Sequence, residues 1–473
     1  MSTQDNNTPH AIEITDEDDE SSVINSITIN ATAEPSSTAR IPRVPTMVKD
    51  KQDHEKYYVP NVVSIGPYHH GNPKLEFVEN LKPVFTMKLV SNNEETLRVL
   101  YRNLSEDTMV QDLRNYYEAN STNEFENKVF IKMMLLDACF ILYYLLFIFG
   151  QPENRQELKN NYDAFVYQDM FLLENQIPFV VLTKVMNLLH MDCNKIKPFI
   201  YDNILATQRP KTWWFRSMFC TRNHPVYQEQ LREMIDVEQP DHLLDLLHCS
   251  LTEKRLPEVN DLSQSNKCRC TFRNVTELKN LGIHFKPSST MSLAHIEFRK
   301  SKWWFSADVN LPPITVNDST KPMLLNLIAY ETCSSRDDAA YDAWVTSYVC
   351  LLDTLIDHPE DVTSLRKAGV LENCLGSDEE VATLFNQIGT DLVPNHLAYL
   401  EAKNSIQMHY ENPTNIYFSQ LKQEYFKSPW SSLALVGALL VIALNGVQTF
   451  FTIWPSKDEC DSLCAMLKKN HHH

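Results

Sequence analysis

Residues Ser431 to Trp454 read SSLALVGALLVIALNGVQTFFTIW, a run of 24 residues without a charged side chain. At about 1.5 Å of rise per residue, such a helix would be roughly 36 Å long, enough to cross a ~30 Å hydrocarbon core with some tilt. Pro429 and Pro455 bracket the run, and Trp430 and Trp454 stand where interfacial aromatics belong. The pattern predicts a transmembrane helix over residues 428–455, with Leu440 and Val441 near its middle. Asn445 and Gln448, three residues apart, share one face and can hydrogen-bond across a helix–helix contact. The competing reading is a buried core helix, although core helices are usually shorter or carry a polar face. A second apolar run, Met133 to Phe149, is interrupted by Asp137 and keeps only 12 uncharged residues before Gly150. That is short for a span, so a buried core helix is expected there.

The remainder predicts a mainly α protein. Residues 1–40 hold eight acidic side chains and one basic one, Arg40, and no aromatic residue, so a disordered acidic tail is expected. Acidic and amide residues occupy the place where a signal peptide needs a basic and then an apolar region. A large helical body is expected over 41–427, followed by the span and a short polar tail over 456–473. Apolar residues recur at helical spacing near 75–85 and 97–104, and further helices are expected near 126–149, 165–190, 225–249, 320–334, 338–357, 378–388 and 392–427. Residues 282–316 differ. Their short alternating and aromatic runs, broken by Pro and Ser, predict three short strands within the helical body. Residues 205–235, with Trp213, Trp214, Phe215 and Arg216, read as an exposed connection.

Composition narrows the function classes. The formal charge of −18 comes with no basic stripe, so nucleic acid is not expected as a partner. Nine glycines leave little material for phosphate-binding loops, and no Walker, dinucleotide-binding or nucleophile-elbow motif occurs. The eleven cysteines are scattered and odd in number, which predicts mostly reduced, individually buried thiols. Neither a metal nor a cofactor is expected.

Two constellations resemble chemistry. Gly66-Pro67-Tyr68-His69-His70-Gly71 sets adjacent imidazoles between glycines, without the spacing that metal ligands on a helix need. A tight turn with Tyr68 or His69 packed is the expected role. Leu172-Leu173-Glu174-Asn175-Gln176-Ile177-Pro178 puts three polar residues inside an apolar stretch. Pro178 removes an N–H and turns Ile177 away from helical geometry, which strands the preceding carbonyls. The Asn175 and Gln176 amides can satisfy them, and Glu174 can accept from freed N–H groups. A structural polar junction is therefore the expected reading, against a carboxylate acid/base site.

These blocks carry a resemblance. VVSIGPYHHGNPKLEFVENLKP (62–83), FIKMMLLDACFI (130–141), QDMFLLENQIPFVVL (168–182), HLLDLLH (242–248) and LPPITVNDSTKPMLLNLIAYETC (311–333), with the closing SPWSSLALVGALLVIALNGVQTFFTI, resemble the plant family called domain of unknown function 247. The resemblance covers roughly residues 41–455, with Tyr330 where Phe is expected and Cys139 where Gly is expected. It implies membrane association and no established catalysis. Some grass members resemble pollen-side determinants of self-incompatibility.

Two functions follow as expectations. One is a membrane-tethered recognition or signalling protein that binds another protein through its helical body, with 205–235 and 286–310 as candidate surfaces. The other is a membrane-bound hydrolase using carboxylates of the 169–174 region, Asp169 and Glu174. The expected location is a single-pass protein, in the plasma membrane on the family's implication, with the large domain cytosolic. That orientation follows from the absence of a signal peptide and the 19 residues after Trp454.

Overall fold

The computed structural model of the protein describes residues 39–50, 53–148, 158, 162–191, 240–252, 274–301, 306–333, 343–395, 397–417, 429–454 and 466–468. The expected tail, apart from Ala39 and Arg40, lies outside these residues, as do 205–235 with Trp213 to Arg216, and 302–305 with Trp303, Trp304 and Phe305. In chain order the α-helices of six residues or more are α1 (Lys82–Leu89), α2 (Glu94–Leu104), α3 (Asp107–Arg114), α4 (Asn127–Tyr143), α5 (Asp163–Asp169), α6 (Phe179–Leu188) and α7 (Leu243–Thr252). After these come α8 (Val275–Asn280), α9 (Thr320–Cys333), α10 (Trp344–Leu355), α11 (Pro359–Ala368), α12 (Asp378–Gly389), α13 (Leu400–Tyr410) and α14 (Pro429–Ile453). The protein is mainly helical with small sheets. It divides into two compact units, one of Met1–Ile204, Arg222–Thr252 and Ser319–Thr346, the other of Leu205–Thr221, Glu253–Asp318 and Ser347–His473.

In the first unit α4 is the central helix. It is apolar on every side, as a helix enclosed by neighbours must be. It extends as a continuous helix to Phe147, 21 residues in all, so length does not separate it from α14. Burial does: 72% of its apolar stretch is inside the protein, against 0% for Leu433–Ile453. Phe85 of α1 stacks on Phe140 and Tyr143 of α4, at centroid distances of 5.8 and 4.9 Å. The α2 helix starts where the Asn93 side chain accepts the Glu95 and Thr96 N–H groups, and it buries Leu100 and Leu104. The helix expected over 165–190 is two helices, α5 and α6, separated by non-helical backbone from Phe171 to Pro178. Pro178 cannot sit inside a helix and instead occupies the N-cap of α6.

The second unit holds the strands. β1 (Ile283–Pro287) pairs parallel with β3 (Ala307–Leu311), and β2 (Glu297–Lys300) pairs antiparallel with β3. Ile283, Phe285, Ala307, Val309 and Leu311 alternate inward, which fixes the register because a one-residue slip would expose all five. A fourth strand in the expected window, β4 (Ile314–Val316), pairs parallel with β5 (Leu371–Asn373). Asp361 ties α11 to α8, accepting Thr276 N–H at 2.9 Å and Thr276 Oγ1 at 2.6 Å. Of the helix expected over 392–427, the described residues hold Leu400–Tyr410 and a further helical stretch at 413–417, while 418–427 lie outside them. Pro394 and Pro413, each preceded or followed by Asn, interrupt the pattern on both sides.

Candidate functional site

The polar side chains of 169–176 reach across to the segment 61–66, within the first unit. Asp169, at the end of α5 and 0% exposed, accepts the backbone N–H groups of Asn61, Val62 and Val63 at 2.9, 2.7 and 3.0 Å. Asn175 accepts Ile65 N–H at 2.7 Å and donates to the Val63 and Asp169 carbonyls. Gln176 donates to the carbonyls of Met170 and Leu172, both at 2.8 Å, and accepts Leu244 N–H at 3.2 Å. These are the carbonyls that lose helical partners where the chain breaks before Pro178. The Phe179 N–H, the first of α6, donates to the Asp241 carbonyl at 2.8 Å.

Gly66 continues the same ladder. Its N–H donates to Asp137 Oδ2 at 2.7 Å, and Asp137 Oδ1 receives Lys82 Nζ at 2.6 Å. Lys82 also donates to the Ser64 carbonyl at 2.5 Å and pairs with Glu79. Both Lys82 and Asp137 are 1% exposed, so removing Lys82 would leave Asp137 buried without its ion-pair partner. Gly66 has φ +76°, and a Cβ there would lie 2.3 Å from the Gln176 carbonyl oxygen. That oxygen also accepts Tyr117 Oη at 3.1 Å. Pro67 is buried, and Tyr68 Oη donates to the Ile41 carbonyl at 2.8 Å.

Glu174 faces the chain entering the unit. It accepts Val44 N–H and Lys49 Nζ, both at 2.8 Å, with Arg43 at 3.8 Å and His69 Nε2 at 3.9 Å. Burial pushes His69 down to about 4, against the pull of Glu174, so its imidazole is neutral. Burial pushes Asp169 up to about 6, against the opposing pull of its three backbone donors. The arrangement brings Gly66, Tyr68, His69, Glu174, Asn175 and Gln176 into one network that fastens three stretches of chain together. Chemically, Asp169 and Glu174 serve as acceptors for backbone N–H groups and a lysine, which uses the lone pairs that acid/base work would need. Trp430, Leu440, Val441, Asn445, Gln448 and Trp454 belong to α14 of the second unit, where Trp430 and Trp454 are 79% and 69% exposed.

Residues 41–444 match the family DUF247, described as plant protein of unknown function. The chain belongs to this family. Two proteins of Arabidopsis thaliana are similar to it: UPF0481 protein At3g47200, 25% identical over 84% of this chain and 83% of its own length, and putative UPF0481 protein At3g02645, 22% identical over 85% and 88%. No solved structure matches.

Elsewhere in this DUF247 chain, a second polar cluster joins α7 to α9. The Nδ1 of His242 accepts Asp245 N–H at 3.2 Å, which leaves the proton on Nε2 to be donated to the Arg40 carbonyl at 3.1 Å. Asp245 accepts Tyr330 Oη at 2.7 Å and Asp241 N–H at 2.8 Å. His248 Nε2 pairs with Glu331 at 2.8 Å, and Glu331 accepts the Val345 and Thr346 N–H groups at the start of α10. Ligand atoms of Asp245, His248 and Cys249 come within 4.8 Å of one another. A metal there would have to displace protein hydrogen bonds on Asp245, so the set is read as a capping network.

Sequence reasoning missed Lys82, Asp137, Asn326 and this second cluster. Asn326 accepts Leu173 N–H at 2.8 Å and donates to the Tyr57 carbonyl at 2.9 Å. One signal was available: a charged or amide residue inside an otherwise apolar helix, as Asp137 is in α4 and Asn326 in α9, needs a buried partner.

Proposed function

We propose that this DUF247 protein is a membrane-anchored recognition or signalling protein that acts by binding another protein rather than by catalysis. The observation that carries the membrane part is the exposure of α14. Eleven large apolar side chains between Leu433 and Ile453 are more than half exposed. At about 1.5–3 kcal/mol for each fully buried side chain, leaving them in water costs on the order of 10 kcal/mol or more, comparable to the whole stability of a domain. A bilayer removes that cost. What supports the non-catalytic part is the use of Asp169 and Glu174 as structural acceptors. A cytosolic placement of the large domain is supported by Cys139, Cys333 and Cys374, free cysteines among the described residues.

Replacing Leu440 and Val441 by Lys tests the anchor, because each central charge costs at least ~2.5 kcal/mol on insertion scales. The wild type is expected to resist alkaline extraction from membranes and the double variant to be released; a variant that still pellets places the anchor elsewhere. Density fractionation tests the plasma membrane as the compartment. Orientation has its own test: Asn120, exposed on a turn with φ +66°, begins an N-x-[ST] acceptor. A glycosidase-sensitive mass shift that Asn120→Gln abolishes would put the domain on the non-cytosolic side. Partner choice is assigned to 286–310, which holds β2 and most of β3, and to 205–235, which lies outside the described residues. The narrower role, a pollen-side determinant of self-incompatibility, rests on the family resemblance. Exchanging these segments between alleles is expected to change the captured partner while expression and membrane location stay constant. Turnover on a hydrolase panel that Glu174→Gln removes would favour the hydrolase reading instead.

A further inference from the structure

Along α14, Ala434, Ala438, Val441, Asn445, Gln448 and Thr452 recur at alternating spacings of four and three residues. That alternation has the 3.5-residue period of a two-helix seam, whose knobs stay facing a partner over several turns. Most of the seam is small or polar, which lets backbones approach. Large residues such as Leu433, Leu440, Leu444 and Val447 fall off it, as do the small residues Gly437, Ala443 and Gly446, so the amides Asn445 and Gln448 are what set the seam apart. The polar groups on the helix are not equivalent. Thr449 and Thr452 hydroxyls donate to the Asn445 and Gln448 carbonyls of their own helix at 2.8 Å. The side-chain amides of Asn445 and Gln448 have no such partner among the described residues and would enter hydrocarbon unsatisfied.

We infer that this seam binds a second copy of the same chain, forming a parallel two-fold pair of α14 helices centred on Asn445. This rests on the membrane reading above. Three observations choose the occupant. None of the Leu433–Ile453 stretch is buried, and α4, the other helix of that length and hydropathy, is enclosed in its own unit. Copies inserted the same way present Asn445 at the same depth, so the pair is parallel and in register. An amide both donates and accepts, so two Asn445 side chains facing across a two-fold axis satisfy each other, and the Gln448 pair repeats this one step further on. Small-residue contacts at Ala434 and Ala438 then bring the backbones close.

The test uses the full chain, labelled at an N-terminal peptide tag with donor or acceptor dye and reconstituted in phosphatidylcholine vesicles. Energy transfer is read against the protein-to-lipid ratio, with alkaline extraction run in parallel on every variant. The wild type is expected to show saturable transfer above that of random proximity. Asn445→Leu and Ala438→Leu are expected to weaken self-association roughly fivefold or more. Leu440→Ala, off the seam, is expected to leave it unchanged. Asn445→Leu makes the span more apolar, so failed insertion cannot account for its loss. Wild-type transfer at the random level in an inserted chain overturns the inference and leaves the anchor standing. So does unchanged association in Asn445→Leu, or equal weakening by Leu440→Ala. Extraction of the wild type at high pH removes the membrane reading and the inference with it.

Discussion

Gly66→Ala should be among the most damaging single-methyl changes in the first unit. The backbone there lies at φ +76°, a left-handed conformation that costs an L-residue about 1–2 kcal/mol. The added Cβ would also lie 2.3 Å from the Gln176 carbonyl oxygen, and backbone cannot swing aside as a flexible side chain can. Overpacking of this kind costs about 1–3 kcal/mol. Relief by moving the 63–66 segment would stretch two short bonds, Gly66 N–H to Asp137 and Ile65 N–H to Asn175, both 2.7 Å. A total loss of about 2–5 kcal/mol is expected, a large share of the ~5–15 kcal/mol that stabilises a typical domain. Gly71 supplies the control: φ is +79°, but nothing lies within 4 Å of its Cβ position. Gly71→Ala should therefore cost only the conformational part, about 1–2 kcal/mol. Urea denaturation of both variants in detergent, followed by far-UV circular dichroism, compares them directly. Equal losses would refute the close approach as the reason for glycine at position 66.

Two further outcomes follow from the same network. Lys82→Met should destabilise by about 3–5 kcal/mol by leaving buried Asp137 without its lysine partner, and adding Asp137→Leu should recover only part of that loss in the same denaturation assay, because the Gly66 N–H then loses its acceptor. His69, held down to about 4 from an ordinary 6.5, stays neutral in the native state while the unfolded chain takes up a proton. Stability from this residue is therefore present above pH 6.5 and falls as pH drops towards about 4, by up to ~3 kcal/mol. Asp169, raised to about 6, has the opposite sign, its contribution being lost as pH rises through about 6. Denaturation midpoints between pH 4 and 7 should show a shallower acid loss in His69→Gln than in the wild type.

The helical class was legible because its signals are local. Asn93 before Glu94, Pro178 before Phe179 and the alternation over Ile283–Phe285 each mark an element within a few residues. The stranding of carbonyls before Pro178 could also be reasoned from the proline alone. What the sequence did not disclose is distance. Gly66 and Asp137 lie 71 positions apart, Leu173 and Asn326 153 apart, and no periodicity links them. The helix expectations over 165–190 and 392–427 failed for a related reason, since apolar recurrence continues through Pro178 and beyond Pro394 although the backbone cannot. For α4 the argument from length was insufficient, and burial among its neighbours decided its place.

The family blocks acquire a specific meaning from this geometry. GPYHHG and LLENQIP are the residues a sequence reader would first suspect of chemistry, because they gather His, Glu, Asn and Gln inside apolar surroundings. In the fold each contributes one residue to a fastening that runs beyond it: 61–66, ending in Gly66, supplies N–H groups, and Asp169, Asn175 and Asp137 accept them. A buried segment that is neither helix nor paired strand must find acceptors somewhere, and an unpaired N–H costs about 1–3 kcal/mol. Four of these N–H groups end on carboxylates, which make the stronger kind of hydrogen bond but must themselves be desolvated, as the raised Asp169 shows. Such a fastening is intolerant of substitution whatever the protein binds. In this chain the two motifs therefore serve the folding of the first unit, and a contact surface has to be sought in segments that this network does not hold.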